Sequence, residues 1–238
     1  MGFSRGPKIV TDGLVLCLDA ANKKSYPGSG TTWTDLSGQG NNGGLANMST
    51  TLDSGNGGSL VFDGVNDFVG TSYNLVNGTD SSVPIVISFY INPDSIQSAV
   101  SQSPCWIGSA YYSGFGMRYT GTDFQIWLRM TSGIYSDNLP LVSNTFQQVT
   151  LRWGGVNNSN LYSYINGQLN SQRSISYSQF NLNLNNYPFR VGLPQTTGGS
   201  SASGYFKGKI AQITVYNKDL NSTQIQQNYN ATKGRFGL

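Results

Sequence analysis

One stretch of this chain carries the signature of a helix, and it is too short to fold alone. Asn221 can cap it, Gln224 is placed as the reciprocal capping-box partner, and Leu220 can staple to Ile225. A helix this short is marginal in water without tertiary support, so Ile225 and Tyr229 must dock on a body built of something else. The run before it, Lys207 to Tyr216, reads as a strand. Its two-residue period puts Ala211, Ile213 and Val215 on one face and Ile210, Gln212, Thr214 and Tyr216 on the other.

The body is β-sheet. Leu14 to Leu18 is apolar throughout, as in a strand buried on both sides, and is expected near the closing strand. Ile85, Ile87, Phe89 and Ile91 alternate along a strong strand that Pro93 ends. Trp106-Ile107, Phe115 to Tyr119, Phe124 to Arg129, Gln148 to Trp153, Leu161 to Ile165 and Phe189 to Leu193 continue the series. Asp63-Gly64 and Asn166-Gly167 read as hairpin-type turns. The polar stretch from Asn22 to Gly58 is long for a loop and must be pinned; Trp33 and Leu36 are the expected pins. About a dozen short strands and one terminal helix define an all-β fold, an antiparallel two-sheet sandwich with Greek-key or jelly-roll connections. At 238 residues, with no linker-like break, the chain reads as one domain over 14–230, with an extended arm over 1–13 and a tail over 231–238.

The ionisable inventory narrows the chemistry. Histidine is absent, and all 11 acidic residues are aspartate. Ser-His-Asp and Cys-His catalysis, imidazole-ligated zinc and a Glu-based glycosidase pair are therefore excluded. Asp63 and Asp67 are the only acidic pair close in sequence, and a turn accounts for them, so no enzyme is expected. The net charge of +3 is spread without a basic run, and no nucleic-acid partner is expected. No apolar run approaches the roughly 20 residues of a membrane span. No signal peptide is visible at the N-terminus, which suits folding in a cytoplasm. Cys17 lies in an apolar run and reads as a buried thiol; a pairing with Cys105 stays open.

Several residue sets resemble one family. Ser59-Leu-Val-Phe-Asp-Gly-Val-Asn-Asp-Phe-Val69, Trp153 ahead of Leu161-Tyr-Ser-Tyr-Ile-Asn-Gly167, Val191-Gly192, and Phe206-Lys-Gly-Lys-Ile-Ala-Gln-Ile-Thr-Val-Tyr-Asn217 resemble, in that order, the laminin-G-like domains of the concanavalin A-like jelly-roll superfamily. A narrower resemblance, to virion structural proteins of tailed bacteriophages, rests on Asp12 to Asn22, Ser25-Tyr-Pro-Gly28, Trp33 to Gly38 and the ending Asn230 to Gly237. It departs from that pattern at Gln224, where Glu is frequent, and at Gly44, where Thr is frequent.

The resemblance implies a non-enzymatic protein of the virion, assembled in the host cytoplasm. Capsid (head) decoration is the first expectation, and a tail or fibre component the next. Capsid or other virion proteins would be its partners, and a homo-oligomer its state. The alternative is a carbohydrate-binding module that recognises host-surface glycans. Relatives often bind sugars on the concave sheet or at loop tips, which makes Tyr111, Tyr112, Tyr135 and Trp127 candidates, with Trp33 beside them, since aromatic rings suit sugar CH faces. Trp33 and Trp127 read equally as core or loop-pinning residues. Many relatives also hold calcium at the rim. Asp19, Asp63 and Asp67 are the candidate ligands, although Asp63 and Asp67 suit Asx-type turns as well.

Overall fold

The structure is a computed structural model that describes residues 7–48, 52–74, 83–94, 104–109, 113–119, 123–130, 133–155, 158–175, 188–193 and 204–238. Among these, sixteen strands form two antiparallel sheets. The first runs β14 (Gln168–Ser174), β13 (Asn160–Ile165), β12 (Gln147–Trp153), β7 (Ile85–Pro93), β16 (Lys207–Tyr216), β5 (Ser59–Asp63), β4 (Leu52–Asp53), with β1 (Leu14–Asp19) also on β16. The second runs β11 (Gly133–Leu139), β10 (Phe124–Met130), β9 (Ser113–Tyr119), β8 (Cys105–Ser109), β15 (Arg190–Val191), β6 (Phe68–Thr71), β3 (Gly43–Ala46), β2 (Thr32–Trp33).

Alternation builds the core between the sheets. Ile85, Ile87, Phe89 and Ile91 of β7 and Val149, Leu151 and Trp153 of β12 meet Phe115, Met117, Ile126 and Leu128 of the second sheet. The closing strand breaks the simple period. Its register with β7 skips Ala211, which forms a bulge where the pairing on the other side passes from β5 to β1. Ile210 therefore joins Ile213 and Val215 in the core, while Ala211 turns to the opposite face. The expected face assignment held only beyond the bulge.

β5 and β6 are not a hairpin, because they lie in different sheets. The Asp63-Gly64 turn instead carries the chain across the sandwich edge. Asn166-Gly167 does close a hairpin, between β13 and β14, with both residues at positive φ (51° and 74°) as a type I′ turn requires. Leu36 is 36% exposed and holds the loop only through its backbone N–H, which donates to the Cys17 carbonyl; Trp33 is fully buried. The second pin is Asp35. Its carboxylate accepts from the backbone N–H groups of Cys17, Ser37 and Asn41 and from the Ser37 hydroxyl.

The helix α1 (Ser222–Thr232) begins with the Asn221–Gln224 capping box. It lies on the outer face of the first sheet, because that sheet turns Val86, Tyr90, Tyr164, Ala211 and Tyr216 outward among the polar Ser88, Gln148, Thr150, Arg152 and Thr214. Leu220 and Ile225 pack with Val86, Tyr164 and Tyr216, and Tyr229 packs with Tyr90, Phe146 and Ala211. Residues 231–238, read from sequence as a tail, belong to this layer. Phe236 is buried and stacks on Tyr90 at 4.1 Å. Residues 8–10 are tied to the same face, where Gln227 donates to the Lys8 carbonyl and Val10 N–H to Asn228 Oδ1.

Candidate functional site

With α1 on the first sheet, the outer face of the second is the other broad surface of the sandwich. One register row crosses all eight of its strands. Ser136 pairs with Trp127, Trp127 with Gly116, Gly116 with Trp106, Trp106 with Arg190, Arg190 with Gly70, Gly70 with Gly44, and Gly44 with Thr32. The row one residue along is core: Val191, Cys105, Met117 and Ile126 are all buried. Strand alternation therefore fixes the first row on the outside.

Trp127 is the organising side chain of this face. It is half-buried, and the Arg118 guanidinium lies over its ring at 4.3 Å, a cation–π contact that holds the indole in one orientation. Its register neighbours Gly116 and Ser136 are small. In the next row, Arg118, Gln125 and Asn138 are consecutive partners, and Gln125 Nε2 donates to Asn138 Oδ1 at 2.8 Å. At the other end, Arg190 is half-buried with its guanidinium 5.3 Å from the Phe68 ring. Its Nε is buried without a hydrogen-bond partner among the described residues, and burial holds its pKa below the usual arginine value. An aromatic plate, planar amides and guanidinium groups on one face can stack on an apolar ring surface and bond hydroxyl or acidic oxygens beside it.

The residues singled out from sequence fall in different places. Trp127 is on this face. Tyr135 is the register partner of Leu128 in β11, with its side chain outside the described residues. Tyr111 and Tyr112 lie outside the described residues altogether. Trp33 is in the core. Asp19 is not brought together with Asp63 and Asp67. Its carboxylate accepts from Arg235, Gln212 and Ala21 N–H. Asp63 Oδ1 accepts from Val65 and Asn66 N–H, and Asp67 Oδ2 accepts from Asp63 N–H, as Asx-type turns do. Among the described residues, no three His, Cys, Asp or Glu side chains cluster as metal ligands do. Cys17 and Cys105 are free thiols, both buried.

Arg118, Gln125, Asn138 and Arg190 were not singled out from sequence. The signal for three of them was local alternation: Arg118 has the parity opposite to Phe115, Met117 and Tyr119, Gln125 that opposite to Phe124, Ile126 and Leu128, and Arg190 that opposite to Phe189 and Val191. Which strands stand beside Arg190 could not be found that way, since they come from distant segments.

A two-sheet antiparallel jelly roll with one broad face carrying stacked aromatic, amide and guanidinium groups is the architecture of lectin-like domains. The chain belongs to the Concanavalin A-like lectin/glucanases superfamily, whose laminin-G-like pattern matches residues 63–226. No curated protein matches the sequence. Solved structures share the fold at low identity. The binding domain of Paraclostridial Mosquitocidal Protein 1 is 17% identical with a TM-score of 0.70, over 93% of this chain and 52% of that one. A structure of botulinum neurotoxin type C, whose cell entry is dependent upon interaction with two ganglioside molecules, is 17% identical with a TM-score of 0.66, over 94% and 52%. Domain 4 of an extracellular arabinanase of Geobacillus stearothermophilus, in complex with arabinotriose, is 12% identical with a TM-score of 0.62, over 91% and 98%. The chain thus spans about half the length of the two toxin chains.

Proposed function

We propose that this chain is a non-catalytic carbohydrate-binding domain, and that its site is the outer face of the second sheet around Trp127. The observation that carries the reading is the Arg118–Trp127 stack at 4.3 Å beside the Gln125–Asn138 amide pair. The indole offers a sugar's CH face an apolar plate, and the amides offer its hydroxyls donors and acceptors. The fold is shared with a domain solved with arabinotriose and with a toxin structure tied to gangliosides, which favours glycan recognition, on a host surface, over other roles for this face. Cleavage would need two carboxyl groups roughly 5–10 Å apart across a bound sugar, and the described side chains of the Trp127 row and of the Arg118–Gln125–Asn138 row include none.

A second reading keeps the domain on a tailed-phage particle, as head decoration or as a tail or fibre component. Its support is that residues 8–10 and 222–236 share the outer face of the first sheet, so a mount there would leave the Trp127 face outward. The two readings are compatible. Screening the purified chain and Trp127→Ala on a glycan array tests the first; loss of at least about tenfold in affinity is expected for one stacking aromatic. Binding unaltered by the substitution would remove the site from this face. Imaging of particles carrying the protein tests the second, and its absence from them would exclude it.

A further inference from the structure

We infer that the site takes an acidic oligosaccharide laid across the strands, with an acidic group at Arg190 and a sugar ring at Trp127. This rests on the carbohydrate reading above and names its ligand class. From Gly44 on β3 to Trp127 on β10 the row crosses five strand spacings, about 24 Å, which is longer than any single sugar.

Three observations converge. First, the described cations of this face are on or beside the row. Arg190 is in it, Arg118 stacks on Trp127, and Arg173 reaches its end, donating to the Ser136 carbonyl. Of the nearest carboxylates, Asp137 is the register partner of Ile126, a core position, and Asp123 precedes β10 with the parity of Gln125 and Trp127, three strands away from Arg190. Second, Arg190 Nε is a buried donor with no acceptor among the described residues. A buried unmet charged donor is costly, and a carboxylate or sulfate oxygen is the acceptor that a guanidinium edge fits best.

Third, the floor beside Arg190 is bare for no structural reason. Gly43 is needed, because a Cβ there would lie 2.6 Å from Val69 Cγ1. Gly44 and Gly70 are not. A Cβ on Gly44 would meet only the Gly70 carbonyl at 3.8 Å, and one on Gly70 only Phe68 Cε2 at 3.9 Å. Neither residue has the positive φ that favours glycine. Glycine inside a strand weakens it, and a common reason to keep one is close approach of a ligand.

The test compares a hexuronic-acid tetrasaccharide, its carboxyl-reduced neutral counterpart and a sulfated neutral tetrasaccharide, by calorimetry on the full chain. The uronate should bind about tenfold or more tightly than the reduced sugar, as loss of one charge-assisted pair implies. Arg190→Gln should bring the two within about twofold of each other while melting no lower than the parent, since it removes a half-buried cation whose Nε has no acceptor among the described residues. Gly70→Thr should raise the melting temperature and weaken both sugars. Tight binding of the sulfated probe supports the assignment, as recognition of anionic oxygens in general. Equal affinity for uronate and reduced sugar overturns the inference and leaves the carbohydrate reading intact. Failure of all three probes to bind overturns both. A sharply destabilised Arg190→Gln, or Gly70→Thr that binds normally, also counts against the inference.

Discussion

Asp19 accepts a hydrogen bond from Arg235 at 2.7 Å, so the first strand is joined to the last turn of the chain. The same carboxylate also takes Gln212 Nε2 and the N–H of Ala21. Protein donors thus occupy a group that sequence alone offers to a cation. Asp19→Asn should lower unfolding free energy by about 1.5–3 kcal/mol, the range for hydrogen bonds to a charged group. Chemical denaturation measures this. The parent's melting temperature should not move with calcium or chelator; a rise with calcium would restore the metal reading.

Asp35 is expected to matter more than the aromatic residues around it. Asp35→Ala leaves the N–H groups of Cys17, Ser37 and Asn41 without their acceptor, at a cost of about 2–4 kcal/mol. Limited proteolysis should then cut within residues 22–42, which the parent should resist.

Phe236→Ala removes a ring stacked on Tyr90 and packed against Phe146. A loss of about 3 kcal/mol is expected, or about 6–12 °C in melting temperature for a domain of this size. If residues 231–238 were a free tail, the melting curve would not change.

Burial raises the pKa of Asp67, against a smaller lowering by the Asp63 N–H bond. The folded chain thus holds this proton more tightly than the unfolded one. Its contribution favours the fold at low pH and is lost as pH rises from the ordinary aspartate value through the raised one. Asp67→Asn, which keeps the acceptor for Asp63 N–H, should melt higher than the parent at pH 7. The gap should close below about pH 4. A gap independent of pH would mean that the carboxylate is not the source.

Burial, with Asp19 and Asp35 nearby, pushes the Cys17 thiol up to about 12, and burial also pushes Cys105 up. Native protein at pH 8 should react with a disulfide reagent roughly a thousandfold more slowly than an exposed thiol. Both thiols should titrate on unfolding.

The sandwich was legible because alternation within a strand is local: β7 and β12 face as their sequences dictate. The cap of α1 was legible for the same reason, since Asn221 and Gln224 are neighbours in the chain. What was not legible depended on pairing. The bulge at Ala211 reassigns Ile210 only because the pairing with β7 skips it, and Asp63-Gly64 resembles a hairpin until its strands join different sheets. The candidate site is of the second kind. Trp127 could be nominated by type, but the Arg190–Gly70–Gly44 end exists only when β15, β6 and β3 stand side by side.

β16 is flanked by β7 on one side and, on the other, by β5 for its first half and β1 for its second. Three early segments therefore have no common partner until Lys207 to Tyr216 has been synthesised. On a ribosome everything before Lys207 would wait with strand edges open, and contacts of such long sequence separation are slow to form. The strand that completes the sheet is thus also the step that ends the chain's exposure to aggregation, and truncations before it should be recovered as insoluble protein.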